Sequence, residues 1–160
     1  MQVTPRCQQA IDYARSESIS LSHSYLSSGH LLLGLLSVNC GAGTVLRKNG
    51  LTQDDVRDYL REHPLTGEQT KRKRGVVVGK SASETMQRAY SQARATSCKY
   101  VGTEHVLLAL LDEQGGAASG ILDKYKGDRE TMRQSLVEMV SSKVVIQWPS
   151  FEEGESPPEV

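Results

Sequence analysis

Residues 71 to 81 read KRKRGVVVGKS, and the Gly79-Lys80-Ser81 that closes them has the ending of a phosphate-binding loop. Such a loop needs G-x-x-x-x-G-K-[ST], because four intervening residues let the backbone N–H groups wrap the phosphates before the helix begins. Here Gly75 and Gly79 enclose three residues and Arg74 stands where glycine is required. The preceding EQTKRKR, moreover, could not be the buried parallel strand from which such a loop springs. Residues 106–112, VLLALLD, imitate the apolar run and aspartate that hold magnesium, but they carry helical features. The cations of Lys71 to Arg74 have no interleaved aromatics on which bases could stack, and read as a solvated connector.

Ser28 with His30, and Thr103 with His105, could suggest a nucleophile and its base. Each pair lies two apart, which sends the side chains to different sides of a helix and prevents the hydrogen bond such a pair needs. The reading is a packed, hydrogen-bonded histidine behind an N-cap hydroxyl. Gly102-Thr103-Glu104 suits binding better than catalysis. Free N–H groups at a positive helix end lie beside one carboxylate there, a cradle for an anion next to a partner for a cation. Cys7, Cys40 and Cys98 are scattered, without C-x-x-C or a histidine at ligand spacing, and read as reduced thiols. No metal site and no cofactor is implied.

The elements that must position these residues emerge from comparing the chain with itself. YLSSGHLLLGLL, residues 25 to 36, aligns with YVGTEHVLLALL, residues 100 to 111, about 75 residues on. Upstream, Ile11 meets Met86 and Ala14 meets Ala89; downstream, after a one-residue gap, Leu46, Val56 and Leu60 meet Leu122, Met132 and Leu136. Each unit reads as four helices. The first runs from Pro5 to Ser20, capped by Thr4, with a counterpart from Ser81 to Ser97. Ser28 and Thr103 are expected to cap the second helices, whose leucines recur at three- and four-residue spacing. Short third helices follow the breaks at Gly41 and Gly115-Gly116, and fourth helices follow Thr52 and Asp128. Strand signal is confined to Val76-Val77-Val78 and Val144-Val145-Ile146.

The expected fold is therefore all-α, an eight-helix pseudo-twofold bundle in which each half covers apolar surface the other could not bury alone. Repeat one spans 1–62, a connector 63–79, repeat two 80–141, and a C-terminal tail or linker 142–160, acidic and expected to be mobile from Ser150. The 160 residues are 38% hydrophobic and only 5% aromatic, with 19 basic residues matching 19 acidic ones. Zero net charge argues against a general affinity for polyanions. With no signal region and no apolar run long enough to span a bilayer, a cytoplasmic protein without a membrane partner is expected.

Thr4-Pro5-Arg6, Tyr25 with His30 to Leu36, Tyr100 to Leu111, the glycine breaks, Leu46 and Leu122 together resemble the Clp N-terminal domain over residues 4 to about 141. That module, a double Clp repeat, stands at the front of Clp-type AAA+ unfoldases and also occurs alone. The resemblance implies a protein-binding module, not an enzyme, monomeric when isolated. Its partners would be client proteins, adaptor proteins, and a Clp AAA+ ATPase ring with its peptidase. A chain that stands alone would instead modulate such a ring. A lower-ranked reading is a nucleic-acid-associated helical protein using Lys71 to Arg74.

ClpC-like members also hold phosphorylated arginine in two equivalent pockets, the acid of G-T-E-H gripping the guanidinium and the start of the first helix receiving the phosphate. By that resemblance, repeat one keeps Thr4 but has Gly29, next to Ser28, in place of the acid. Repeat two keeps Gly102, Thr103 and Glu104, but has Gly79 for the threonine, followed by Lys80 and Ser81. The expected surviving pocket therefore pairs Glu104 with Lys80 and Ser81.

Overall fold

A computed structural model describes residues 2–23, 25–63, 77–125 and 128–145. Their elements run β1 (Gln2–Val3), α1 (Pro5–Ser20), β2 (Tyr25–Leu26), α2 (Ser28–Ser37), α3 (Gly41–Lys48) and α4 (Gln53–Glu62) in repeat one. Repeat two follows with β3 (Val77–Val78), α5 (Lys80–Ala95), β4 (Tyr100–Val101), α6 (Thr103–Leu111), α7 (Ala117–Lys124) and α8 (Arg129–Val145). The fold is the all-α double repeat. The connector cations Lys71 to Arg74 and the tail from Ile146 lie outside the described residues.

Local chemistry explains most boundaries. Thr4 caps α1 by accepting the Cys7 amide at 3.2 Å, with Pro5 in the first turn, where its missing N–H costs nothing. Thr52 and Asp55 form a reciprocal capping box at α4. Asp128 accepts the Thr131 amide at 3.2 Å at the start of α8. The repeat persists in the backbone: Ser22 and Ser97, at matched positions after α1 and α5, both take a left-handed φ of 57°.

Helices α2 and α6 form the centre. Every residue from Ser28 to Leu36, and every residue of α6, is buried, so their apolar surface is the whole circumference and not one face. α1 lies along α2 and α5 along α6, and the two central helices touch each other. Small residues make this possible: Ala10 and Ala14 of α1, and Ala82, Ala89 and Ala93 of α5, are all buried. Leu32, Leu33, Leu107, Leu110, Met132 and Leu136 fill the space between.

Two expectations are corrected. Val144 and Val145 are the last residues of α8 and not a strand, because the helix that begins after Asp128 continues through them. Residues 142–145, assigned to the tail, are therefore helical. The strand signal at Val77-Val78, by contrast, is a strand, and it pairs with β2 of repeat one. The caps of α2 and α6 are Ser27 and Gly102, one residue before Ser28 and Thr103, because a histidine at the third helical position supplies the cap.

Candidate binding site

Two very short parallel pairings decide which residues meet. β1 pairs with β4, Gln2 opposite Tyr100 and Val3 opposite Val101. β2 pairs with β3, Tyr25 opposite Val77 and Leu26 opposite Val78. The ladders continue into the helix starts: the Thr4 amide donates to the Val101 carbonyl at 2.9 Å, and the Gly79 amide to the Leu26 carbonyl at 2.8 Å. Each first helix thus begins beside the second helix of the other repeat. Any site built from these ends is composite, with one contribution from each half.

The first corner joins Thr4 to Gly102, Thr103 and Glu104. Thr4 is partly exposed at the open N-terminus of α1, and its neighbour Arg6 reaches the Asn39 carbonyl at 2.6 Å, just before α3. Glu104 is only 3% exposed. Its carboxylate lies between two glycines: a Cβ at Gly41 would sit 2.9 Å from Oε1, and one at Gly102 would sit 2.7 Å from Oε2. The Met139 sulfur, 3.3 Å from the same Gly41 position, flanks the acid from α8. A helix N-terminus with a cap hydroxyl favours an anion, and a carboxylate drawn out of water favours a cation.

The second corner is sealed. Ser81 Oγ accepts the Ser28 amide at 3.1 Å, and Ser28 Oγ accepts the Ala118 amide at 3.1 Å, so both hydroxyls serve to stitch α5, α2 and α7 together. A Cβ at Gly29 would stand 2.8 Å from Leu60 Cδ2 and 3.1 Å from Ala117 Cβ. Apolar packing fills the volume that an acid would need. Lys80 points to solvent and pairs loosely with Glu84 at 3.9 Å, a contact of little energetic weight. Replacing Ser81 with Ala strands the buried Ser28 amide, and urea denaturation should show a loss of about 1–2 kcal/mol.

The expected partnership of Glu104 with Lys80 and Ser81 is therefore not the one the fold makes. His105 Nε2 lies 3.4 Å from Thr96 Oγ1, which places the Glu104 end of α6 beside the C-terminal end of α5. Ser81 begins that same helix, about 22 Å away along its axis. Two-residue strands carry no periodic signal, so the exchange between repeats could not be read from the chain, although the Val77-Val78 signal marked one of its members.

Both histidines act as caps. His30 Nδ1 accepts the Ser27 amide at 2.9 Å and His105 Nδ1 accepts the Gly102 amide at 3.0 Å. His30 is fully buried, and burial, reinforced by His23, pushes its pKa down to about 4. The unfolded chain takes up this proton near pH 6.5, so stability is full above that value and falls as pH drops toward 4. Urea midpoints should record a loss approaching about 3 kcal/mol from this group, and His30→Gln should shrink the difference between pH 7 and pH 4.5.

Among the described residues no group of three or more His, Cys, Asp or Glu could hold a metal ion. No disulfide joins Cys7, Cys40 or Cys98. No single helix there is long and apolar enough to cross a membrane.

The family model described as the Clp repeat (R) N-terminal domain matches residues 2–125 and 78–153. The chain is 30% identical over 135 residues to a probable ATP-dependent Clp protease ATP-binding subunit of Chlamydia pneumoniae, covering 84% of this chain and 16% of that protein. It is 27% identical over 140 residues to the negative regulator of genetic competence ClpC/MecB of Bacillus subtilis, covering 87% and 17%. It thus spans about a sixth of the length of these curated relatives. Among solved structures, the N-terminal domain of the chaperone ClpD from Arabidopsis thaliana shares its fold, with a TM-score of 0.74 at 21% identity over 88% of this chain and 95% of that one. The Hsp104 N-terminal domain from Candida albicans does likewise, with a TM-score of 0.72 at 19% identity over 89% and 93%.

Proposed function

The chain belongs to the Clp repeat (R) N-terminal domain family, and we propose that it is a protein-binding module that receives clients or adaptor proteins for a Clp-type AAA+ unfoldase and its peptidase. The observation that carries this reading is the first composite corner, where the β1–β4 pairing sets the capped start of α1 beside the buried carboxylate of Glu104. A partly exposed helix N-terminus and a carboxylate held between glycines suit a ligand that bears both charges. Phosphorylated arginine on a client is such a ligand, its phosphate at Thr4 and the positive end of α1, its guanidinium at Glu104. The same chemistry speaks for binding over catalysis. The Nδ1 atoms of His30 and His105 accept backbone amides, and the hydroxyl that also meets His30 Nδ1, Ser27 Oγ at 2.9 Å, is fully buried.

Whether the module fronts a longer unfoldase or docks on a Clp ring as a separate modulator, its work is recognition, performed as a monomer in the cytoplasm. Calorimetric titration with a phosphoarginine peptide tests the ligand, and saturable binding that weakens in Glu104→Gln supports it. A pull-down with this chain as bait tests the partner class. Recovery of a AAA+ Clp subunit or its peptidase supports the modulator role. Steeply salt-dependent DNA or RNA binding that disappears when Lys71 to Arg74 are neutralised would favour the nucleic-acid reading instead.

A further inference from the structure

A backbone amide can only donate, so the Ser27 N–H, 2.9 Å away, fixes His30 Nδ1 as an acceptor and leaves the ring proton on Nε2. That proton faces His23 Nδ1 at 2.8 Å, which must accept it, so the proton of His23 is also on Nε2. The result is a one-way chain from the Ser27 amide through His30 to His23. Its two acceptor nitrogens are the places where a further proton would have to go. Protonation of His23 at Nδ1 sets two donors against each other. Shifting the His30 proton to Nδ1 relieves that conflict but sets the ring against the Ser27 N–H, leaving Ser27 Oγ, 2.9 Å from the same nitrogen, as its acceptor. Either way one hydrogen bond of the chain is lost.

The chain is placed where such a loss matters. His23 follows α1 in the turn held by its amide on the Ser18 carbonyl, and His30 lies in the first turn of α2. Together they fasten the entrance of β2 to its exit, and β2 is the strand that holds β3 of the other repeat. Repeat two lacks the device. Cys98 stands at the position matching His23, and His105 Nε2 faces the Thr96 hydroxyl, which can turn from acceptor to donor.

The charged groups acting on the pair are Glu17 of α1 and the two imidazoles on each other, with Arg57 and Arg61 of α4 behind Glu17. Arg57 engages both Glu17 oxygens, at 2.7 and 3.1 Å, which leaves that carboxylate little to offer an imidazolium. Burial depresses both histidines as well, in keeping with the geometry.

We propose that the His23–His30 pair is a proton-operated fastener on repeat one alone, whose acidification releases the start of α2 and the β2–β3 seam while the β1–β4 seam holds. Ring-nitrogen NMR and amide hydrogen exchange on the full chain test it. At pH 7 both rings should be the Nε2–H tautomer. Between pH 6.5 and 4.5 the protection factors of amides 27–31 should fall about tenfold, while those of 102–106 change less than about twofold. His23→Gln replaces one titrating ring with an amide oxygen that still accepts from His30, and should lessen the fall in Ser27 protection over that range to the part that burial of His30 alone causes. Protection that stays flat across the range, falls equally in both repeats, or falls in His23→Gln as in the parent overturns the proposal, as does an Nδ1–H tautomer at His30.

Discussion

Replacing Gly34 with Val is expected to destabilise the chain by about 3 kcal/mol or more, the largest single-site loss anticipated, because no side-chain rotation can relieve the clash. A Cβ at Gly34 would overlap the Ala10 carbonyl oxygen and lie 3.0 Å from its carbon and 3.2 Å from the Ala14 Cβ. The obstacle is the backbone of a neighbouring helix, so α1 and α2 must separate along their contact or α2 must shift within a fully buried centre. Domains of this size are stable by only about 5–15 kcal/mol, so a loss of that order is a large share of the whole. Repeat two supplies the comparison. Ala109 holds the matching position, fully buried, so the α5–α6 contact already accommodates a methyl. Ala109→Gly should cost only about 1 kcal/mol. Thermal or urea melts of the two variants against the parent check both values; equal effects would mean that the two helix pairs pack alike after all.

That asymmetry bears on what the sequence could reveal. Helix existence was legible because it rests on local signals: Thr4 before Pro5, Thr52 before an acidic first turn, and leucines spaced around α2 and α6. The double repeat was legible because fully buried central helices keep their apolar residues in both copies. The caps of α2 and α6 were misplaced by one residue, since His30 and His105 bond backward to the chain and take over the role expected of Ser28 and Thr103. The valines at 144 and 145 favour strands by propensity, but a helix already under way and packed on α6 overrides that preference. Which of the candidate site residues are neighbours was not legible. Thr4, Glu104, Ser28 and Ser81 each stand out by type and place, yet their grouping depends on two pairings of two-residue strands, each joining one repeat to the other. A contact made at long sequence separation by so few residues leaves no pattern to read.

That regrouping makes the binding prediction sharp. If a phosphoarginine ligand sits at the first corner, Glu104→Gln removes the charge opposite the guanidinium and should weaken binding by about ten- to a hundredfold, the scale of a charge-assisted hydrogen bond in a buried setting. Thr4→Val removes the hydroxyl at the phosphate end and should weaken it several-fold. Because Thr4 and Glu104 grip one ligand, the double variant should depart from the product of the two effects, a coupling readable in a double-mutant cycle. Lys80→Ala should leave affinity within about twofold, since that side chain stands in solvent at the other corner and Ser81 is spent on the Ser28 amide. Within one repeat the opposite would hold, with Lys80 supplying the phosphate contact for Glu104. Titrations of the parent and the four variants with one peptide, well below their melting temperatures, separate the two arrangements. Loss of affinity in Lys80→Ala alongside an indifferent Thr4→Val would reject the composite corner, whereas the reverse pattern ties the ligand to the junction that β1 and β4 create.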